Sequence, residues 1–154
     1  MTCLEPHWTT LFPALLMPVV ALVGVCIAWQ QSCIAKNKLK LELFEKRFAV
    51  YDKARNMLGE IMIKGKLTDA GLHEYGSGIR EARWLMDEEV AKYLNQELWD
   101  KAVQLQSYDA QLDGLPVGEE RDHLAHERAT LNQWFHTQYP ILDEKVAPFL
   151  KLSH

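Results

Sequence analysis

The sequence predicts an all-α protein, with one N-terminal transmembrane helix continuing into an antiparallel cytoplasmic helical bundle. Three observations predict it. Residues 11–29, LFPALLMPVVALVGVCIAW, form an uncharged and almost wholly apolar run. Beyond it, apolar residues recur at spacings of three and four, the period of a helix with one buried face. No period-two run of β-branched residues between Gly and Pro markers offers a strand.

The apolar run comes first in the chain. At 1.5 Å per residue, nineteen helical residues cover roughly 28 Å, about one hydrocarbon core. No Asp, Glu, Lys or Arg occurs between Glu5 and Lys36, and Trp8 and Trp29 flank the run as interfacial anchors. The first ten residues lack Lys and Arg, so the charged leader of a cleaved signal peptide is missing and a signal anchor is expected. Lys36, Lys38 and Lys40 follow the run, and all seventeen Lys and Arg residues lie beyond it. The positive-inside rule then places residues 1–10 outside and the long C-terminal part in the cytoplasm of a bacterial inner membrane. Pro13 fits a first helical turn, whereas Pro18 is expected to kink the helix or mark its start. Ala21, Gly24, Ala28, Ser32 and Ala35 repeat at spacings of three and four, a small-residue face suited to helix–helix association.

The anchor is assigned to residues 11–35 and the bundle to residues 36–154, about 119 residues, enough for one core. The first soluble helix is expected over residues 30–63, continuous with the span as one rod. Phe44, Phe48, Tyr51, Leu58 and Met62 form its stripe around Ala54, and Gly65 caps it. A second helix, about 69–85, starts after the N-cap candidates Thr68 and Asp69 and buries Leu72, Tyr75, Ile79, Ala82 and Met86. Gly71, Gly76 and Gly78 either permit close packing against the first helix or leave this segment loose. A third helix, 88–112, is capped by Asp87 and lined by Val90, Leu94, Leu98, Ala102, Leu105, Tyr108 and Leu112. Gly114 and Pro116 make the next turn. A fourth helix, 118–138, buries Leu124, Leu131, Trp134 and Phe135. Tyr139-Pro140 is expected to break it before a short last helix, 140–150.

Charge limits the partners. Residues 36–55 hold seven basic and three acidic side chains, and residues 60–154 hold ten basic and seventeen acidic. The basic part suits an anionic leaflet, and the acidic part argues against nucleic acid. Cys3, Cys26 and Cys33 make no framework. Cys26 and Cys33 are seven apart on one helix face and cannot bridge within a chain. The bundle has no cysteine, which excludes thiolate zinc sites and thiol enzymes there.

Candidate chemistry is sparse. His123 and His126 stand three apart near Glu119 and Glu127 and are the weak metal candidates, but no second Glu-x-x-His helix completes a di-metal bundle. No Ser or Cys stands in a nucleophile motif. Trp84 and Trp134 adjoin core stripes and are expected to pack, whereas Trp99 lies beside the Leu98 stripe and is the candidate partner contact.

The segment Lys38-Leu39-Lys40-Leu41-Glu42-Leu43-Phe44-Glu45-Lys46-Arg47-Phe48-Ala49-Val50-Tyr51-Asp52 is the strongest local signature. It resembles the juxtamembrane segment of small, uncharacterised bacterial single-span membrane proteins with a K-L-x-L-F-E-K-R-F-x-V-Y helix and a helical cytoplasmic tail. Residues 79–88 and Ala147-Pro148-Phe149-Leu150 resemble that group too. The resemblance implies architecture and a bacterial origin, and it carries no activity. Phe44, Phe48 and Tyr51 then form an aromatic face, with Lys46, Arg47 and Lys53 toward headgroups.

The expectation is a membrane-anchored interaction, scaffold or accessory protein without catalytic activity or cofactor. Its expected partners are the lipid bilayer, a second copy through the transmembrane helix, and a protein the sequence does not name. Two alternatives stand beside it. One is a membrane-active or signalling accessory factor of a phage or mobile-element system; the other is a helical-bundle metal-binding protein.

Overall fold

The computed structural model describes the backbone of residues 8–151 and the side chains of residues 20–151. Every element among them is helical. The chain forms two compact units, Met1–Leu41 and Glu42–His154. The second therefore starts six residues later than the expected bundle boundary at residue 36, and the first buried residue of the described chain is Val50.

Helix α1 is Trp8–Lys64. Among the described residues no helix is long and apolar enough to cross a membrane. Trp8 and residues 11–19 of the expected span lie outside the described side chains. The described remainder, residues 20–29, amounts to about 15 Å of helix, half a hydrocarbon core.

In the second unit α1 ends at Gly65, whose φ of 66° only glycine adopts freely and whose N–H donates to Ile61 O at 2.8 Å. Helix α2, Asp69–Gly78, is capped by Thr68, whose hydroxyl accepts from Gly71 N. A 3₁₀ turn, Ile79–Glu81, and the single turn α3, Ala82–Leu85, follow. Helix α4, Glu88–Lys92, is capped by Asp87 and runs through a π-helical stretch, Tyr93–Leu98, into α5, Trp99–Gly114. Helix α6 is Glu119–Val146, with a 3₁₀ turn Ala147–Phe149 after it.

Side-chain ties fix the packing directions. Between α1 and α6 they join Tyr51 to Asp143, Arg55 to Tyr139 and Gly65 to Asn132, so partner numbers fall as α1 numbers rise. The same reversal links α5 to α6 through Asp109 and Arg128, with Glu89 and Lys145 further along. It links α1 to α2 through Lys53–Glu74 and Thr68–Glu60. The bundle is antiparallel, as expected for helices joined by short turns. Its core holds Ala54, Leu58, Leu94, Leu98, Ala102, Leu105, Phe135, Leu142 and Val146, all fully buried.

Five expectations are corrected. First, the buried stripe of α1 is Val50, Ala54, Met57, Leu58 and Ile61, with Tyr51 at its edge; Phe48 and Met62 are exposed. At 100° per residue this face lies about a quarter turn from the expected one, and Tyr51, Ala54 and Leu58 belong to both. Second, Pro140 does not break α6. Its ring costs one backbone bond, about 3 kcal/mol in a helix interior. Burial of Leu142 and Val146 beyond it, with the Tyr51–Asp143 bond, holds the last turns in place. Third, the second helix tightens to 3₁₀ at residue 79, after Gly76 and Gly78. Fourth, the third helix contains a π stretch. Val90, Leu94, Leu98 and Ala102 are all buried at a strict spacing of four, which drifts around a 3.6-residue helix; one wider i→i+5 turn brings them back into phase.

The fifth concerns Arg47 and Lys53, which face the bundle rather than headgroups. Arg47 Nε donates to Leu85 O at 2.8 Å, its Nη1 donates to Phe149 O at 3.3 Å, and its guanidinium lies over the Phe149 ring. Lys53 Nζ bonds Glu74 at 2.6 Å, which raises the ammonium pKa.

At the opposite end, Gly65 O accepts from Arg128 Nη2 at 2.7 Å and from Asn132 Nδ2 at 3.0 Å, while Arg128 Nε pairs with Asp109. This node joins the end of α1 to α5 and α6. Replacing Arg128 with Ala removes both contacts and strands the Asp109 carboxylate. A stability loss of about 2–3 kcal/mol is expected, read as an earlier urea midpoint at unchanged slope.

Candidate functional site

The groove that gathers the most varied chemistry lies between α2 and the π stretch. It encloses about 250 Å³ and is lined by His73, Gly76, Ser77, Ile79, Arg80, Asn95 and Trp99. Trp99 supplies its wall. The indole stacks on Tyr75, with centroids 6.3 Å apart and planes 23° apart, and is half-buried. Gly76 makes room for it, since a Cβ there would sit 2.5 Å from the indole Cζ3.

The π stretch contributes Asn95 to the groove. Tyr75 Oη donates to Leu94 O at 2.7 Å, and Tyr93 Oη donates to Gln138 Oε1 at 3.1 Å. Asn95 Nδ2 is held by Ala91 O at 2.9 Å. Burial pushes the Tyr75 phenol well up, with Tyr93 adding to the effect. Burial also raises Tyr93, with Glu97 contributing. Both rings are therefore neutral hydrogen-bond donors across the physiological range.

The rim carries an imidazole, a guanidinium and an amide. That set can hold a planar or anionic group against the indole face. It is not arranged for nucleophilic catalysis, because Ser77 Oγ donates to Glu74 O at 2.9 Å rather than to His73. A larger, open trough of about 910 Å³ runs beside it, between the α1–α2 turn and α5, and includes Lys66, Asp69, Asp109 and Asp113. Gln106 Nε2 bonds Asp69 there at 2.7 Å. Asp109, which lines the trough, has Oδ2 buried without a partner, and so is Asn132 Oδ1 on α6.

The sequence-derived candidates scatter. Trp99 is brought into the groove with His73, a pairing that sequence spacing did not reveal. His123 and His126 are both exposed on α6. Among the described residues no three His, Cys, Asp or Glu side chains gather into a set that could hold a metal ion. Ala21, Gly24, Ala28 and Ser32 are exposed along α1, and a Cβ at Gly24 would meet nothing within 4 Å. Trp29, Lys36, Lys38 and Lys40 are exposed, whereas Trp8 lies outside the described side chains.

Trp84 corrects a core expectation. It is 80% exposed, with the Arg83 guanidinium 5.6 Å from its ring centroid. The signal was available, because Ile79, Ala82 and Met86 share a face and a residue two past Ala82 points roughly 200° away. Trp134 is half-buried, edge-on to Phe135 at 5.1 Å.

No family model matches the chain, and neither a curated protein nor a solved structure is similar to it.

Two measurements follow. Gly76→Ala drives a methyl into Trp99 and is expected to cost about 1–3 kcal/mol. Gly59→Ala in α1, where a Cβ meets nothing within 4 Å, is expected to stabilise by up to about 1 kcal/mol. Thermal melts of both check the pair. In alkali, burial and the hydrogen bond to Asp143 push Tyr51 up from 10.0 to about 12. A raised folded-state phenol pKa gives stability that is complete below the unfolded value and is lost as pH rises through the folded one. Unfolding free energy is thus expected to fall between pH 10 and about pH 12. The phenols of Tyr51, Tyr75 and Tyr93 should ionise in step with unfolding when tyrosinate absorbance and helical dichroism are followed together.

Proposed function

We propose that this chain is a membrane-anchored, non-catalytic interaction protein of a bacterial inner membrane, with its N-terminus outside and the Glu42–His154 bundle in the cytoplasm. The observation that carries the reading is the uncharged apolar run at residues 11–29, followed by Lys36, Lys38 and Lys40. Trp8 and Trp29 suit the two interfaces. Two features of the bundle support an interaction role. Its aromatic groove carries a mixed polar rim of imidazole, guanidinium and amide beside the Trp99 indole. Trp84 is offered to solvent with Arg83 beside it, the residue types favoured at binding hot spots. Trp99 is the proposed contact of the groove, and Trp84 joins it as a second contact on the bundle surface.

Alkaline carbonate extraction of native membranes tests the anchor, and paired C-terminal fusions test the direction. The protein is expected in the pellet, with a C-terminal fluorescent reporter bright and a C-terminal alkaline phosphatase inactive. Release into the wash overturns the anchor. An active phosphatase with a dark fluorescent reporter overturns the orientation.

A further inference from the structure

The Met1–Leu41 unit exposes a set of branched aliphatics whose spacing is seven. Val20, Ile27, Ile34 and Leu41 are 60%, 49%, 66% and 50% exposed, and in the sequence the same spacing reaches Phe48. With these at the a positions of a heptad, the d positions are Val23, Gln30, Asn37 and Phe44. A straight helix at 3.6 residues per turn drifts off a repeat of seven. A seam kept at seven through five a positions is satisfied by a second helix supercoiled around the first.

We infer that α1 pairs with α1 of a second copy, parallel and in register, along the seam Val20–Ile27–Ile34–Leu41. Three features select this occupant. Gln30 and Asn37 each carry an amide donor and an acceptor, so each can pair with its own symmetry mate, and polar residues at such positions fix register. Lys40 falls at g and Glu45 at the following e. A parallel dimer brings that g to that e of the other helix with opposite charge, whereas an antiparallel one does not. Ile34 and Leu41 flank the lysines 36, 38 and 40, where lipid is a poor cover and water is costly. Leu39 and Leu43 fall at f and c, on the stripe that leads in sequence to Val50 and Ala54, and are not part of the seam.

The seam differs from the small-residue face. Ala21, Gly24, Ala28 and Ser32 occupy b, e, b and f, roughly 130° around the helix from it. The inference names a second copy of this chain as one partner of the proposed interaction protein, and it holds or fails whether or not the helix is embedded.

Cysteine crosslinking of the full-length protein in its native membranes separates the two faces. Cys3, Cys26 and Cys33 are first replaced by Ser. Single variants I27C, I34C and L41C then report the seam, and A28C and A35C report the small-residue face. On mild oxidation the seam variants are expected to give several-fold more disulfide dimer. In the I34C background, K40E is expected to reduce the dimer several-fold and K40E with E45K to restore it. Stronger dimer at A28C and A35C, or no dimer at any position, overturns the inference. An I34C yield indifferent to both charge changes overturns the parallel register. If the seam variants crosslink but carbonate strips the protein from the membrane, the pairing stands and the anchor fails.

Discussion

The bundle depends on one stretch of one helix. Over residues 47–65, α1 offers a buried stripe, Val50, Ala54, Met57, Leu58 and Ile61, against which α2 and α6 run antiparallel. Both ends of that stretch are tied by guanidinium groups to backbone carbonyls. Arg47 holds Leu85 O and Phe149 O at one end, and Arg128 reaches Gly65 O at the other. A planar fork with five donors suits this task, since it can satisfy carbonyls on separate segments at once. The carbonyls at Leu85 and Phe149 belong to α3 and the turn after α6, and the one at Gly65 closes α1. Bonding them satisfies terminal acceptors that helix geometry leaves without internal partners.

Tyrosines supply the second layer of ties. Tyr51, Tyr75 and Tyr93 each donate a phenol to an acceptor on another element. A buried Tyr brings apolar area and one polar tip that must be matched. The π stretch in the helix after Asp87 belongs to the same scheme. It keeps four apolar residues at a spacing of four on the core side, while Leu94 O takes the Tyr75 hydroxyl. The groove bounded by Trp99 is a consequence of this packing, opened by Gly76 and walled by the indole.

Much of the bundle was legible in the sequence. Thr68, Asp87 and Gly65 act as the caps that their residue types suggested. Of the core positions expected in the second and third helices, Tyr75, Ile79, Ala82, Met86, Val90, Leu94, Leu98, Ala102 and Leu105 are buried as their periodicity indicates, whereas Leu72, Tyr108 and Leu112 are half-buried. The buried face of the first helix lies a quarter turn from the one its pattern predicts, because Phe44 and Phe48 weight that pattern toward a face where they stack on each other at 5.9 Å. The break at Pro140 was a local rule overridden by distant burial. Of the groove, only Trp99 was legible. His73, Arg80 and Asn95 come from three separate elements, and no spacing within any of them points to the others.

The sequence by itself determined which segments are helical, where most of them start and stop, and that residues 11–29 are too apolar and too free of charge to resemble the rest of the chain. Those properties follow from short-range physics: period, capping and composition act within a few residues. The tertiary structure alone decided which face of α1 turns inward, that Arg47 and Lys53 serve the bundle, that α6 runs through its proline, and that Trp99 is stacked while Trp84 stands in solvent. Each of those outcomes depends on partners that are far apart in the chain, and burial against such partners outweighs any single residue's local preference.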